Sequence, residues 1–288
     1  MPTLVLSLIT MLAGLFAVQA EQPVDGTDDT VVVEPVVDEA PGEIANADDL
    51  LFALEDADDD LRTLRATIRY TREFAIAGDV QIRDGKLMFA SDADRANRRF
   101  AIEFSRLYVG DRVEDEVKHI VFNGTWFVEK IPADKQFFKR QVVPPGETFD
   151  PLKIGQGPFP IPIGQRRADI LREYDAELLE ASDGLDDANL IANAADTYQL
   201  RLTPIEELAD DAEFEEVRLW YSRDTLLPRL ARTVAADGDI ATVMLIGVAI
   251  NDEAEIDESV FSVESPPQDA GWDVDIRPWR STKAGNNR

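Results

Sequence analysis

The stretch IVFNGTWFVEKIPADKQFFKRQVV, residues 120–143, decides how the rest of the chain is read. Asn123-Gly124 and Pro132-Ala133-Asp134 are turn signals, and Trp126-Phe127-Val128 lies between them, so the stretch reads as a succession of hairpins. A strand with one wet face alternates apolar and polar side chains. This one carries apolar groups on both faces, with Phe127 on one side and Trp126 and Val128 on the other. Something has to cover the second face.

The same oddity returns at residues 240–250. Ile240, Thr242, Met244, Ile246, Val248 and Ile250 form one face; Ala241, Val243, Leu245, Gly247 and Ala249 form the other. A flat sheet packed on one side does not account for two such strands. A sheet curved around a filled interior, with helices or a ligand on that side, does. Other segments alternate more simply: Leu64, Ala66, Ile68 and Tyr70; Phe100, Ile102 and Phe104; Tyr198, Leu200 and Leu202. Asp84-Gly85 reads as a hairpin turn between residues 80–82 and 87–89. Asp224 and Asp237-Gly238-Asp239 read as turns joining residues 217–221, 226–234 and 240–250. Strands in hairpin order predict an antiparallel meander, barrel-like or strongly curved.

Ahead of the strands, Asn46 is a good N-cap, and Leu50, Leu54, Ala57, Leu61 and Leu64 follow at helical spacing. Asp56, Asp58, Asp59 and Asp60 read as the helix's solvated face; the glycine and glutamate that a calcium loop requires are missing. One segment breaks the β pattern. In residues 157–164, GPFPIPIG, three prolines lack N–H donors, yet Phe159, Ile161 and Ile163 call for burial. A short helix is expected at residues 165–174. The apolar loop ahead of it reads equally as a movable lid or as a loop packed permanently on the core.

Composition narrows the function. The 288 residues hold 57 acidic and 29 basic side chains, a net charge of −28. Such a surface repels nucleic-acid phosphates and anionic membranes alike. Residues 1–20 have a 13-residue apolar run and end in Val18-Gln19-Ala20, the pattern of a secretory signal peptide. Residues 21–45 read as a disordered acidic leader. Cysteine is absent, which removes disulfides, thiol nucleophiles and lipid-modified cysteine. His119 is the one histidine and reads as a strand-surface residue; no Gly-Xaa-Ser-Xaa-Gly elbow, phosphate loop or HExxH accompanies it. No catalytic group, cofactor or metal ligand is expected.

Taken in order, these pieces resemble the periplasmic outer-membrane lipoprotein carriers, the LolA-like family, over about residues 46–274. The resemblance is carried by the N-terminal helix, the meander, Phe122-Asn123-Gly124-Thr125-Trp126-Phe127-Val128, the proline-rich segment at 157–165, Leu227-Pro228-Arg229, Asn251, Ile256-Asp257, Phe261, Pro266-Pro267 and Trp272-Asp273-Val274. It implies a mainly β fold with a few helices: an unclosed, strongly curved antiparallel barrel with helices covering its concave side. The boundaries implied are a signal peptide at 1–20, a leader at 21–45, one lipid- and lipoprotein-binding domain at 46–276 and a tail at 277–288. The family places an arginine before an aromatic strand, where it pins the lid. Arg95 is the nearest match, with Arg98 and Arg99 competing.

What the resemblance implies is a non-catalytic carrier that shields the acyl chains of lipoproteins and helps deliver them to the outer membrane. Exposing an acyl chain of ~16 carbons to water costs on the order of 13 kcal/mol, at roughly 0.8 per methylene. Such a carrier needs an apolar cavity and a movable cover. The candidate lining is Phe122, Trp126, Val128, Phe137, Phe138 and Met244, although strand parity leaves open which of them face the hollow. The candidate lid is Phe159, Ile161 and Ile163, pinned by Arg95. Expected partners are acylated lipoproteins or lipids and membrane-bound donor and acceptor proteins. Nucleic acid is excluded, and the protein is expected to be monomeric and periplasmic. Two other readings are a lipid- or lipoprotein-sensing module on the same fold and a secreted hydrolase using two facing carboxylates.

Overall fold

The computed structural model describes residues 43–92, 97–144, 166–252 and 255–279. Arg95, Phe159, Ile161 and Ile163 lie outside the described residues, as do the expected signal peptide and nearly all of the leader. By its contacts the chain divides into residues 1–40 and 41–288, and every described residue belongs to the second unit.

Helix α1 spans Ala47–Asp59, and Asn46 caps it by accepting the Asp49 N–H at 3.0 Å. The chain then runs through β1 (Thr63–Glu73), β2 (Val80–Ala90), β3 (Arg99–Val109), β4 (Arg112–Glu114), β5 (Lys118–Phe122), β6 (Trp126–Ile131) and β7 (Gln136–Gln141). Helix α2 (Arg167–Glu173) leads straight into β8 (Tyr174–Leu179). Helix α3 (Ala188–Ala194), β9 (Thr197–Pro204), β10 (Phe214–Ser222), β11 (Pro228–Ala235), β12 (Ile240–Ile250) and β13 (Asp273–Arg277) follow.

The strands form one sheet in the order β13-β7-β6-β5-β3-β2-β1-β12-β11-β10-β9-β8, with β4 added to the far end of β3. Among the described residues nothing pairs β13 with β8, so the curled sheet is unclosed. Neighbours are antiparallel except β13 and β7, which run parallel. The architecture expected from the sequence is therefore present, with one parallel edge strand that no hairpin signal announces.

Local turn chemistry holds where it is local. Asn123 Oδ1 accepts the N–H groups of Thr125 and Trp126, and Gly124 takes φ +93°. The β6–β7 turn closes with the Lys135 N–H donating to Pro132 O at 3.2 Å. Asp84-Gly85, in contrast, is not a turn. It lies inside β2, an uninterrupted 11-residue strand, and the real β1–β2 turn is residues 74–79, where Gly78 takes φ +69°. Gly85 serves close approach: β3 passes so near that a Cβ there would sit 2.3 Å from Glu103 O. Asp84 holds Arg69 across the strands with two hydrogen bonds of 2.7 and 2.8 Å.

The face that α1 and α2 cover is the inner one. It carries Leu64 and Ile68 of β1, Leu87 and Phe89 of β2, Phe100, Ile102 and Phe104 of β3, and Leu219 and Tyr221 of β10, all buried with Leu50, Leu51 and Ile170 of the helices. In β12, Val243 and Leu245 face inward. Gly247 (φ +64°) then inserts one extra residue opposite Arg65–Thr67, so Val248 and Ile250 join the inner face instead of Ala249. A one-residue bulge reverses side-chain parity, which is half the reason residues 240–250 read as apolar on both sides.

The other half answers the question posed by residues 120–143. The chain covers its own outer face in two places. Val121, Val128 and Phe137 pack with Ala90 and Ala101 under the segment carrying Phe261. Arg99 holds that segment through Glu258 at 2.7 Å, and Lys139 Nζ donates to Val263 O at 2.9 Å. On β10–β12, Trp220, Leu230 and Met244 pack under Leu185 and Ala194. Carbonyls of residues 181–184 accept there from Trp220 Nε1, Gln199 Nε2, Arg218 and Arg232 at 2.7–3.0 Å.

Candidate functional site

Where the helix cover meets one end of the inner face, the packing leaves a hollow. Leu54 and Asp58 of α1, Leu61 and Leu64 at the start of β1, Ile170 of α2, Tyr221 and Leu226–Pro228 around the β10–β11 turn, and Ile250 line it. Ile250 and Thr225 are exposed at its rim. The volume is about 60 Å³, room for roughly four to six waters. Asn251 follows the lining residue Ile250 in the chain. Its Oδ1 accepts from the N–H groups of Arg62 and Thr63 at 2.8 and 3.0 Å, and its Nδ2 donates to Asp60 O at 2.8 Å. One side chain thus ties the link between α1 and β1 to the end of β12.

The β10–β11 turn closes with Ser222 N–H donating to Leu227 O and Leu226 N–H donating to Ser222 O, both at 2.9 Å. Leu226 takes φ +54°. Among the described residues four non-glycine side chains have positive φ; Lys135, Asp196 and Asn251 are polar, and Leu226 is the apolar one. The left-handed conformation costs a side-chain-bearing residue roughly 1–2 kcal/mol, and glycine or asparagine is the usual occupant. Leu226 recovers this by packing its side chain against the inner core.

The cover is fastened by charge. Asp58, read from the sequence as part of a solvated face, is turned inward because it follows Leu50 and Leu54 at intervals of four. Its carboxylate lies 3.5 Å from the Arg98 guanidinium, and each side chain is 8% exposed. Arg98 also sits over the Phe89 ring, 5.4 Å from its centroid. Burial, and secondly the charge of Asp58, pushes the Tyr221 hydroxyl far above the usual phenol range, so it stays neutral. At the outer rim Arg167 of α2 grips Asp48 of α1 with hydrogen bonds of 2.6 and 2.8 Å.

That rim contact has a pH signature. The hydrogen bond from Arg167, and then its charge, holds the Asp48 carboxyl below the usual carboxylate range. The contact is complete above the ordinary aspartate pKa and is lost as pH falls through the lowered value. An NMR titration of the Asp48 carboxyl is expected to show a midpoint below that of an exposed aspartate, with amide exchange in α2 accelerating over the same window. An ordinary midpoint would remove the clamp.

The candidate lining divides between the two faces. Phe122 is buried on the inner face, and Phe138 faces the same way at 39% exposure, opposite Glu129. Trp126, Val128 and Phe137 occupy the outer face, where Lys139 lies 4.7 Å from the Trp126 ring centroid. Met244 lies on the outer face under α3. Leu54, Ala57, Leu61 and Leu64 of the lining belong to the helical stripe legible in the sequence; that they meet Ile170, Tyr221 and Leu226 at a hollow carries no signal there.

No protein-family model matches the sequence, and no curated protein is similar to it. Similar solved structures include an uncharacterized conserved protein from Thermus thermophilus, at 11% identity and TM-score 0.42, covering 81% of this chain and 99% of that one. A chain of the Pseudomonas aeruginosa MucA/MucB complex is similar at 17% identity and TM-score 0.40, over 74% of this chain and 60% of that one. A LolA superfamily protein from Nitrosomonas europaea is similar at 11% identity and TM-score 0.31, over 75% of this chain and 97% of that one. At such values the chemistry has to come from this chain's own residues. Among those described, no helix is long and apolar enough to cross a membrane.

Proposed function

We propose that this protein is a non-catalytic periplasmic carrier that shields acyl chains of lipoproteins against the inner face of its sheet and helps deliver them to the outer membrane. The observation that supports this reading is the nature of the cover. A largely apolar sheet face is closed by two short helices, held at their margin by ion pairs, with a hollow at the seam. The cover consists of two helices of 13 and 7 residues, and the carrier reading has it lift to admit cargo. The hollow admits a few waters and no full tail, so loading requires α1 and α2 to move. Cargo drives that movement only by its differential contacts with the open form. The sequence resemblance to lipoprotein carriers supplies the cargo class, and the expected signal peptide supplies the compartment.

The test is binding of cis-parinaric acid, a C18 fatty acid whose fluorescence rises on burial. Wild type is expected to bind. Leu54→Glu, which sets a charge in the hollow, weakens binding by about tenfold or more. Trp126→Ala, on the outer face, leaves it unchanged. Absence of wild-type binding, or equal binding by Leu54→Glu, contradicts the proposal. Native mass spectrometry of protein purified from its own envelope then identifies the cargo.

A further inference from the structure

We infer that the Leu226 side chain is a built-in stopper for the hollow, occupying the place that the leading methylenes of a linear acyl chain take on loading. The inference deepens the carrier reading and rests on it.

Three observations converge on Leu226. It lines the hollow beside Tyr221, Leu227 and Pro228. Its backbone is left-handed, at φ +54°. It is half-buried, in a turn whose neighbouring Thr225 is exposed at the rim. Pro228 restricts the residue before it, Leu227, to extended conformations, so the turn cannot relieve the strain from that side. A hairpin turn needing a left-handed residue takes glycine or asparagine at no penalty. Leucine brings backbone strain and, in exchange, fills apolar space that would otherwise stand empty. Strain held in place by side-chain burial is released when something else takes over the burial. An arriving alkyl chain does this: it displaces Leu226, and the backbone relaxes toward a right-handed or extended conformation. The strain then favours the loaded form, so ejecting the stopper opposes loading less than displacing an unstrained leucine would. Once cargo leaves, the stopper closes the hollow to water.

The experiment compares cis-parinaric acid binding by wild type, Leu226→Gly and Leu226→Phe. Leu226→Gly removes the stopper without backbone penalty and is expected to bind about fivefold tighter than wild type; Leu226→Phe, a bulkier stopper, binds about fivefold more weakly. In wild type with labelled leucine methyls, the Leu226 signals are expected to shift more than those of Leu200, buried elsewhere in the core. The methyl measurement decides the matter if either variant fails to fold. If wild type binds while Leu226→Gly binds no tighter, or the Leu226 methyls stay still, the stopper is overturned and the carrier reading stands. If neither wild type nor Leu226→Gly binds, the carrier reading fails and takes the stopper with it.

Discussion

Gly85→Ala is expected to lower the melting temperature by roughly 6–12 °C, corresponding to about 3 kcal/mol at 2–4 °C per kcal/mol for a domain of this size. The added methyl would sit 2.3 Å from Glu103 O, 2.8 Å from Phe104 Cα and 2.9 Å from Glu103 C. All three are backbone atoms, so no rotamer change relieves the clash; β2 and β3 have to part. They part beside the Arg69–Asp84 pair and next to Leu87 and Phe104, in the middle of the inner core. Gly78→Ala is the control. It has φ +69° with nothing within 4 Å of the added Cβ, so it bears only the left-handed penalty, about 1 kcal/mol. Thermal melts of the two variants decide: equal losses would mean that β2 and β3 do not approach this closely.

The second large effect is at the cover. Arg98→Met takes a guanidinium from a carboxylate that is 8% exposed, and removing one partner of such a pair costs about 3–5 kcal/mol. The loss falls on the contact between the end of α1 and the start of β3. Amide exchange in α1 is therefore expected to accelerate more than exchange in β10, whose Leu219 and Trp220 are fully buried. Asp58→Leu combined with Arg98→Met restores most of the stability, because two apolar side chains of similar volume tolerate the same site. If Arg98→Met melts like wild type, or the double variant is worse than the single, the pair does not fasten the cover.

Both sites show where the sequence could and could not be read. Asn46 as an N-cap, the Asn123-Gly124 turn and the turn at Asp237-Gly238-Asp239 depend on hydrogen bonds within a few residues, and all three are present. Asp84-Gly85 has the same local chemistry as a turn, but the neighbouring strand decides its role. Asp58 carries a charge and stands in an acidic run, which locally favours solvent. Helix phase turns it inward all the same, and Arg98, 40 residues away, supplies the charge that meets it there. Helix α3, capped by Asp187 and laid over Trp220, has no helical signature in the sequence, since seven residues are too few for a distinct hydrophobic period.

Strand alternation and most of the turns follow from the sequence by itself, because each depends on the order of side chains along a few bonds. From them come a curled meander with too much apolar surface and a cover of short helices. Which apolar face holds the hollow was settled only by tertiary structure. A bulge at Gly247 reverses parity in β12, and two distant segments, around Phe261 and around Leu185, cover the outer face. Side-chain direction in a strand alternates with every residue, so a single inserted residue, or a covering segment more than a hundred residues away, reassigns lining to core without any change in local pattern.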